Sequence, residues 1–116
     1  MSVCQNDFLD FAKSLSPDSE INRRNIISRS YYSAYHLCLE KYKPANTNDG
    51  GVHKQLISQL KISPDKHDRA AGYILDQLKN LRVVSDYHLN SDVSKSDSDT
   101  ALLQSEKLKQ YLDNIK

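Results

Sequence analysis

The chain has 116 residues, 38% of them hydrophobic and 27% charged, and a formal net charge of +1. That length fits one domain, and the composition is too apolar for a disordered chain. A charge so near zero excludes a global positive field that would hold nucleic acid indiscriminately, so any such contact must rest on a local cluster. With only 3 Gly and 3 Pro to punctuate the chain, long elements and few turns are expected, which argues against an all-β domain. A domain of this size buries only about two-thirds of its unfolded surface, so self-association is an expected source of extra stability.

The N-terminal run MSVCQNDFLDFAK contains Asp7 and Asp10 and no apolar core of signal-peptide length. No stretch approaches the ~20 apolar residues of a membrane span. A cytoplasmic protein without membrane contact is the expectation. The first helix is expected over about residues 3–15, with Phe8, Leu9, Ala12 and Leu15 at helical spacing. Ser16-Pro17 reads as a cap followed by proline in the first turn. It opens a second helix that runs to Tyr42 along Ile27, Tyr31, Ala34 and Cys38. Pro44 and the polar run from Asn46 to Gly51 mark a loop. A short third helix covers about residues 52–61. Ser63-Pro64 opens a fourth, whose stripe of Ala70, Ala71, Ile74, Leu78, Leu81 and Val84/Ser85 continues to Tyr87. Gly72 inside it costs about 1 kcal/mol relative to alanine and would suit a close helix contact. The Ser- and Asp-rich segment 90–98 is a loop that caps a last helix. Leu102, Leu103, Leu108, Tyr111, Leu112 and Ile115 are its expected buried face. The sum is an all-α, up-and-down bundle of four to five helices, two of them long and central, forming a single domain over residues 1–116. Cys4 and Cys38 lie far apart with no CxxC pair, and are read as reduced thiols, Cys38 in the core.

Chemistry is concentrated in the segment RSYYSAYH, Arg29 to His36. Seven residues return to nearly the same helix face, so Arg29 and His36 share a side about 10 Å apart along the axis. Arginine offers a planar fork for phosphate, and histidine titrates near neutral pH. The plain alternative is a structural arginine and a boundary histidine. Tyr31, Tyr32 and Tyr35 point in several directions from one helix; Tyr31 is the expected core member, and the others can stack on bases or line a partner surface. In LRVVSDYH, Arg82 and His88 are about 120° apart on an uninterrupted helix. They converge only if the helix ends near Tyr87 or if two protomers combine their pairs, and an Arg82–Asp86 ion pair is the bland alternative. His53 opens the third helix and is read as a solvated residue near a helix N-terminus, with reason to be neutral there. His67 is read as surface. Arg23, Arg24 and Arg29 are expected to form a small positive stripe, with Arg24 partly offset by Glu20. No metal-ligand spacing, phosphate loop or cofactor motif is present in the sequence, so no cofactor or metal is expected.

In order, SRSYYSAYHLCL, then VHKQLISQL after a Gly-containing loop, then LRVVSDYH closely resemble the HEPN family (higher eukaryotes and prokaryotes nucleotide-binding domains), above all its small stand-alone prokaryotic members. The likeness covers residues 24–88, with a compatible last helix. It implies a helical bundle, usually a homodimer. Many members are metal-independent RNA endonucleases, acting as toxins of toxin–antitoxin pairs or in defence against phage and plasmids. Their signature is Arg, four to six residues, then His, contributed by both protomers to one cleft. By that resemblance Arg82 and His88 are the catalytic pair, with Arg29, Tyr32, His36 and Asp86 lining or supporting the cleft. Tyr87 would be the residue modified when a nucleotidyltransferase partner silences the protein. Arg29 and His36 also fit the spacing. Val83 follows Arg82 where active members often carry Asn or another polar residue. That departure keeps a second reading open, a non-catalytic nucleotide-binding module or partner of a minimal nucleotidyltransferase. A dimer would set its arginines side by side and strengthen the local field that a +1 chain lacks.

Overall fold

The computed structural model describes residues 5–42 and 52–113, which form five helices and no strand. They are α1 (Gln5–Ser14), α2 (Glu20–Tyr42), α3 (Val52–Lys61), α4 (Lys66–Tyr87) and α5 (Lys95–Asp113). The expectations for Cys4, for the polar run 46–51 and for Ile115 lie outside the described residues. Among the described residues, no helix is long and apolar enough to cross a membrane.

Helix α2 is the hub and packs against the other four. Its direction relative to them is set by side-chain pairs. Arg24, Ser28 and Tyr32 meet Ser85, Asp86 and Arg82 in turn, so α2 and α4 run antiparallel. Glu20 meets Val93 while Ser30 meets Ser105, so α2 and α5 run in the same direction. The core between them takes Ile27, Tyr31, Ala34 and Cys38 from α2, Leu56 and Leu60 from α3, Ala71, Leu75 and Leu78 from α4, and Ala101, Leu108 and Leu112 from α5. Each large side chain of this kind contributes about 1.5–3 kcal/mol by leaving water. The spacing of these residues is the helical period that the sequence shows. The buried face of α5 differs from the expected one. Leu108 and Leu112 are buried as expected, but Leu103 is 66% exposed, and Ala101 and Ser105 face inward with them. Small residues serve here because α5 lies close to α2, where buried Ser105 Oγ donates to the Ser30 carbonyl at 2.8 Å.

The helix starts sit two to three residues later than Ser-Pro pairs suggest. Ser16 Oγ donates to Asp18, and the donor Asn22 N–H reaches Ser19 Oγ at 3.2 Å, so Ser19 opens α2. Asp65 caps α4 by accepting from His67 N–H at 2.8 Å, while Ser63 bonds Asp68 and Asp65 N–H in the preceding turn. Ser94 and Asp97 cap α5 reciprocally, each side chain accepting from the other's N–H. Gly72 makes the close contact it suits: a Cβ there would lie 2.9 Å from Leu60 Cβ and 3.1 Å from Lys61 N.

The positive stripe expected from Arg23, Arg24 and Arg29 does not form. Arg23 donates to the carbonyls of Val93 at 2.7 Å and Pro17 at 3.0 Å. Arg24 is 6% exposed and turns into the end of α4. It donates to the carbonyls of Val84, Ser85, His88, Leu89 and Ser91. The last turn of any helix leaves carbonyls without intrahelical donors, and a guanidinium with five N–H groups is suited to collect them. Glu20 stays near Arg24 at 3.9 Å, as its spacing predicts.

Candidate functional site

Because α2 and α4 are antiparallel, Arg82 lies opposite the tyrosines of α2. Tyr31 and Tyr35 are buried and Tyr32 is half-buried between them and the surface. The Arg82 guanidinium donates from Nε to Asp86 Oδ2 at 2.9 Å and from Nη2 to the hydroxyls of Tyr32 at 2.9 Å and Tyr87 at 3.2 Å. Its central carbon is 5.1–5.8 Å from the ring centroids of Tyr31, Tyr32 and Tyr87. Burial works against its charge, and the oxygens of Tyr32, Tyr87 and Asp86 more than offset it, so the Arg82 pKa is raised. The ion pair with Asp86 that helical spacing suggests is present, and it is one strand of a wider set. Among the described residues Nη1 donates to no acceptor, so its N–H groups are the ones open to a ligand.

Arg29 enters the same network from α2. Its Nη2 donates to Ser28 Oγ at 3.1 Å, and Ser28 Oγ donates to Asp86 Oδ2 at 3.3 Å. Ser28 thus links the Arg29 guanidinium to the carboxylate that Arg82 holds. The Arg29 guanidinium lies 5.1 Å from the Tyr32 ring and 5.9 Å from Phe8. Its Nε is buried with no hydrogen-bond acceptor, a cost that an incoming anion would relieve. His36 stacks on Phe8 at 5.6 Å and meets Tyr35 edge-on at 5.1 Å. Arg29 and His36 thus share Phe8 and Tyr32, in keeping with their helical spacing. Burial lowers the His36 pKa.

The sequence reading does not place His53 here, and the structure does. Its ring stacks on Tyr35 at 3.8 Å and 8°, and lies 5.6 Å from Tyr31. Its Nδ1 is hydrogen-bonded to the Tyr31 hydroxyl. Burial lowers its pKa, and Arg82, Lys79 and His36 lower it further. Neutrality near a helix start is the sequence expectation; the cause is burial among cations rather than the helix end. The signal that pointed to His53 was the HK pair following the loop, which forms one part of the family resemblance.

Six of the seven expected site residues come together: Arg29, Tyr32, His36, Arg82, Asp86 and Tyr87. His88 stands apart. It is the exposed C-cap of α4, and its backbone carbonyl is held by Arg24. Among the described residues, no hydrogen bond, ion pair or ring contact joins its imidazole to Arg82. Tyr87 is 66% exposed, so its ring forms the outer wall. His67 is on the surface as expected, and it has a partner there, the Tyr111 hydroxyl. Among the described residues, no group of three or more His, Cys, Asp or Glu is placed to hold a metal ion.

The arrangement can do three things chemically. It can hold an anion on two guanidiniums, stack a planar group on tyrosine, and offer imidazoles that are uncharged at neutral pH. Comparison with known protein families, with curated proteins and with solved structures finds no match.

Proposed function

We propose that the chain is an HEPN-type RNA endonuclease that works as a homodimer, in the role of a toxin of a toxin–antitoxin pair or an effector of phage or plasmid defence. The observation that carries this reading is Arg82, held among Tyr32, Tyr87 and Asp86 with Nη1 left over, and sharing the Tyr32 ring with Arg29. RNA presents what such a cluster takes: a phosphodiester for the guanidiniums and bases for the tyrosine faces. In the proposed reaction the RNA 2′-hydroxyl attacks the adjacent phosphorus and gives up its proton to a histidine. The bond to the 5′-oxygen breaks, that oxygen takes a proton, and the products are a 2′,3′-cyclic phosphate and a 5′-hydroxyl. Arg82 stabilises the charge that grows on the phosphate oxygens. His88 is the proposed proton-transfer residue. Its position apart from Arg82 within one protomer fits a site shared across a two-fold axis, with His88 supplied by a second copy. Arg29, His36, Tyr32, Asp86 and Tyr87 hold the RNA or orient Arg82.

The test is incubation of purified protein with tRNA and mRNA in EDTA. Wild type is expected to cut, and the double variant Arg82→Ala/His88→Ala to cut at least about 100-fold more slowly. Wild-type cleavage no greater than the variant's overturns the nuclease reading. A second reading is favoured by Val83 and by the engagement of Arg82 with Asp86: a non-catalytic module that binds RNA or nucleotide, or that partners a minimal nucleotidyltransferase. Tight RNA binding without cleavage would select it.

A further inference from the structure

We propose that His53 is a third anion contact of this cleft, uncharged while the cleft is empty and protonated when an RNA phosphodiester settles beside Arg82. The proposal rests on the RNA-binding reading above and adds a residue and a regulation to it. Three contacts hold the imidazole in one orientation. The Tyr31 hydroxyl bonds Nδ1, the Tyr35 ring lies parallel to it at 3.8 Å, and Tyr32 meets it edge-on at 6.5 Å. Tyr31 is fully buried, and burial raises its pKa, so its oxygen keeps its proton; the bond satisfies that O–H when Nδ1 is the acceptor. A buried phenol whose proton pointed elsewhere would leave that donor unsatisfied. In that tautomer His53 carries its own proton on Nε2 and presents a neutral N–H donor.

The titratable and charged groups that face this ring, among the described residues, are Tyr31, Tyr32, Tyr35 and His36 from α2 and Lys79 and Arg82 from α4. No carboxylate is among them. An empty cleft thus opposes a charge on His53 through burial and through three cationic or potentially cationic neighbours. A phosphodiester brings the missing negative charge. It offsets Arg82 and Lys79 and can accept from Nε2, so the opposition of the cations falls and the charged ring gains a partner that outweighs the reversal of the Tyr31 bond. When the ring is charged, its Nδ1–H turns the bond to Tyr31 around, with the phenol oxygen accepting, and the phenol must aim its own proton at another acceptor, a cost set against the charge. The stack on Tyr35 then sets a cation over an aromatic face, an arrangement that is itself favourable.

The sign follows from linkage. The His53 pKa in the empty cleft lies below the ordinary 6.5, and in the complex it is higher. The added affinity is fully present below the empty-cleft pKa and is lost as pH rises through the pKa of the complex. Internal phosphodiesters do not titrate in this range, so the pH dependence belongs to the protein.

The experiment uses the full chain and a fluorescent 2′-O-methyl RNA oligonucleotide without terminal phosphates, which binds but cannot be cleaved. Kd is measured from pH 8 to pH 5.5 at constant ionic strength. Wild-type affinity is expected to rise roughly tenfold as pH falls, the effect of one proton taken up on binding. His53→Gln is expected to bind with a profile clearly shallower than that of wild type, and the surface variant His67→Gln to titrate as wild type does. A flat wild-type profile, or a His53→Gln profile as steep as that of wild type, overturns the proposal while leaving RNA binding intact. Absence of RNA binding by wild type at every pH overturns the RNA reading and this proposal with it. Should His53→Gln fail to fold, NMR titration of the wild-type His53 ring decides the matter. Its midpoint must move upward when the oligonucleotide is bound, and an unmoved midpoint refutes the proposal.

Discussion

Arg24 and Arg82 sit on facing helices less than three turns apart, and each makes several hydrogen bonds, yet they are used in opposite ways. Arg24 spends its donors on backbone carbonyls at the end of α4 and is 6% exposed. Arg82 bonds only side chains, those of Asp86, Tyr32 and Tyr87, and is ringed by aromatic faces. Carbonyls at a helix end must be satisfied for the helix to stop where it does. Phenols and a carboxylate on the surface could as well be solvated. The partner set therefore separates an arginine that holds the fold from one that the fold holds in place for something else. Neither residue type nor charge separates them.

Substitution tests this contrast directly. The largest effect is expected for Arg24→Met, which leaves buried carbonyls without donors and should lower unfolding stability by about 3 kcal/mol. Chemical denaturation measures it, and a loss below about 1 kcal/mol would erase the distinction. Arg82→Met should lose only about 1 kcal/mol, because its main ion pair is a partly exposed one within a single helix. The same variant should bind RNA at least tenfold more weakly, with a salt dependence shallower by about one ion. A stability loss matching that of Arg24→Met would make Arg82 a structural residue too. The smallest effect is expected for Lys13→Ala. Its ion pair with Glu106 is 2.8 Å long but exposed, and removing it should change stability by less than about 0.5 kcal/mol. A larger change would mean that α1 is held to α5 by more than its apolar face.

The helices were legible because apolar residues recur at the helical period along each of them and few breakers interrupt it. Their starts were less so. Ser16, Ser19, Ser63 and Asp65 are all competent caps, and local bonds such as Ser16 to Asp18 take some of them out of contention. Which one caps depends on where packing aims the helix, and that is information from the rest of the molecule. The face shared by Arg29 and His36 followed from their separation alone. The fate of Arg23 and Arg24 did not, because a charge count says nothing of which helix end lies opposite. His53 was misplaced for a related reason. Its position in α3 told of the helix start beside it, whereas its surroundings come from Tyr31 and Tyr35, more than fifteen residues earlier in the chain.

The clamp of Arg24 on the end of α4 also bears on how the chain reaches this structure. The signal that terminates α4 comes from a side chain 60 or more residues earlier in the sequence. A nascent α4 can begin on its own, with Asp65 at its start, but its far end must fray until α2 has docked. The last turn of α4 and the first turns of α2 are therefore joined by contacts that neither helix makes alone. A bundle that otherwise reads as a row of local helices closes by a contact of long range, the kind that slows folding and ties distant segments into one cooperative unit. Amide exchange should find the segment around Ser85 as well protected as the middle of α2, although it lies at a helix end.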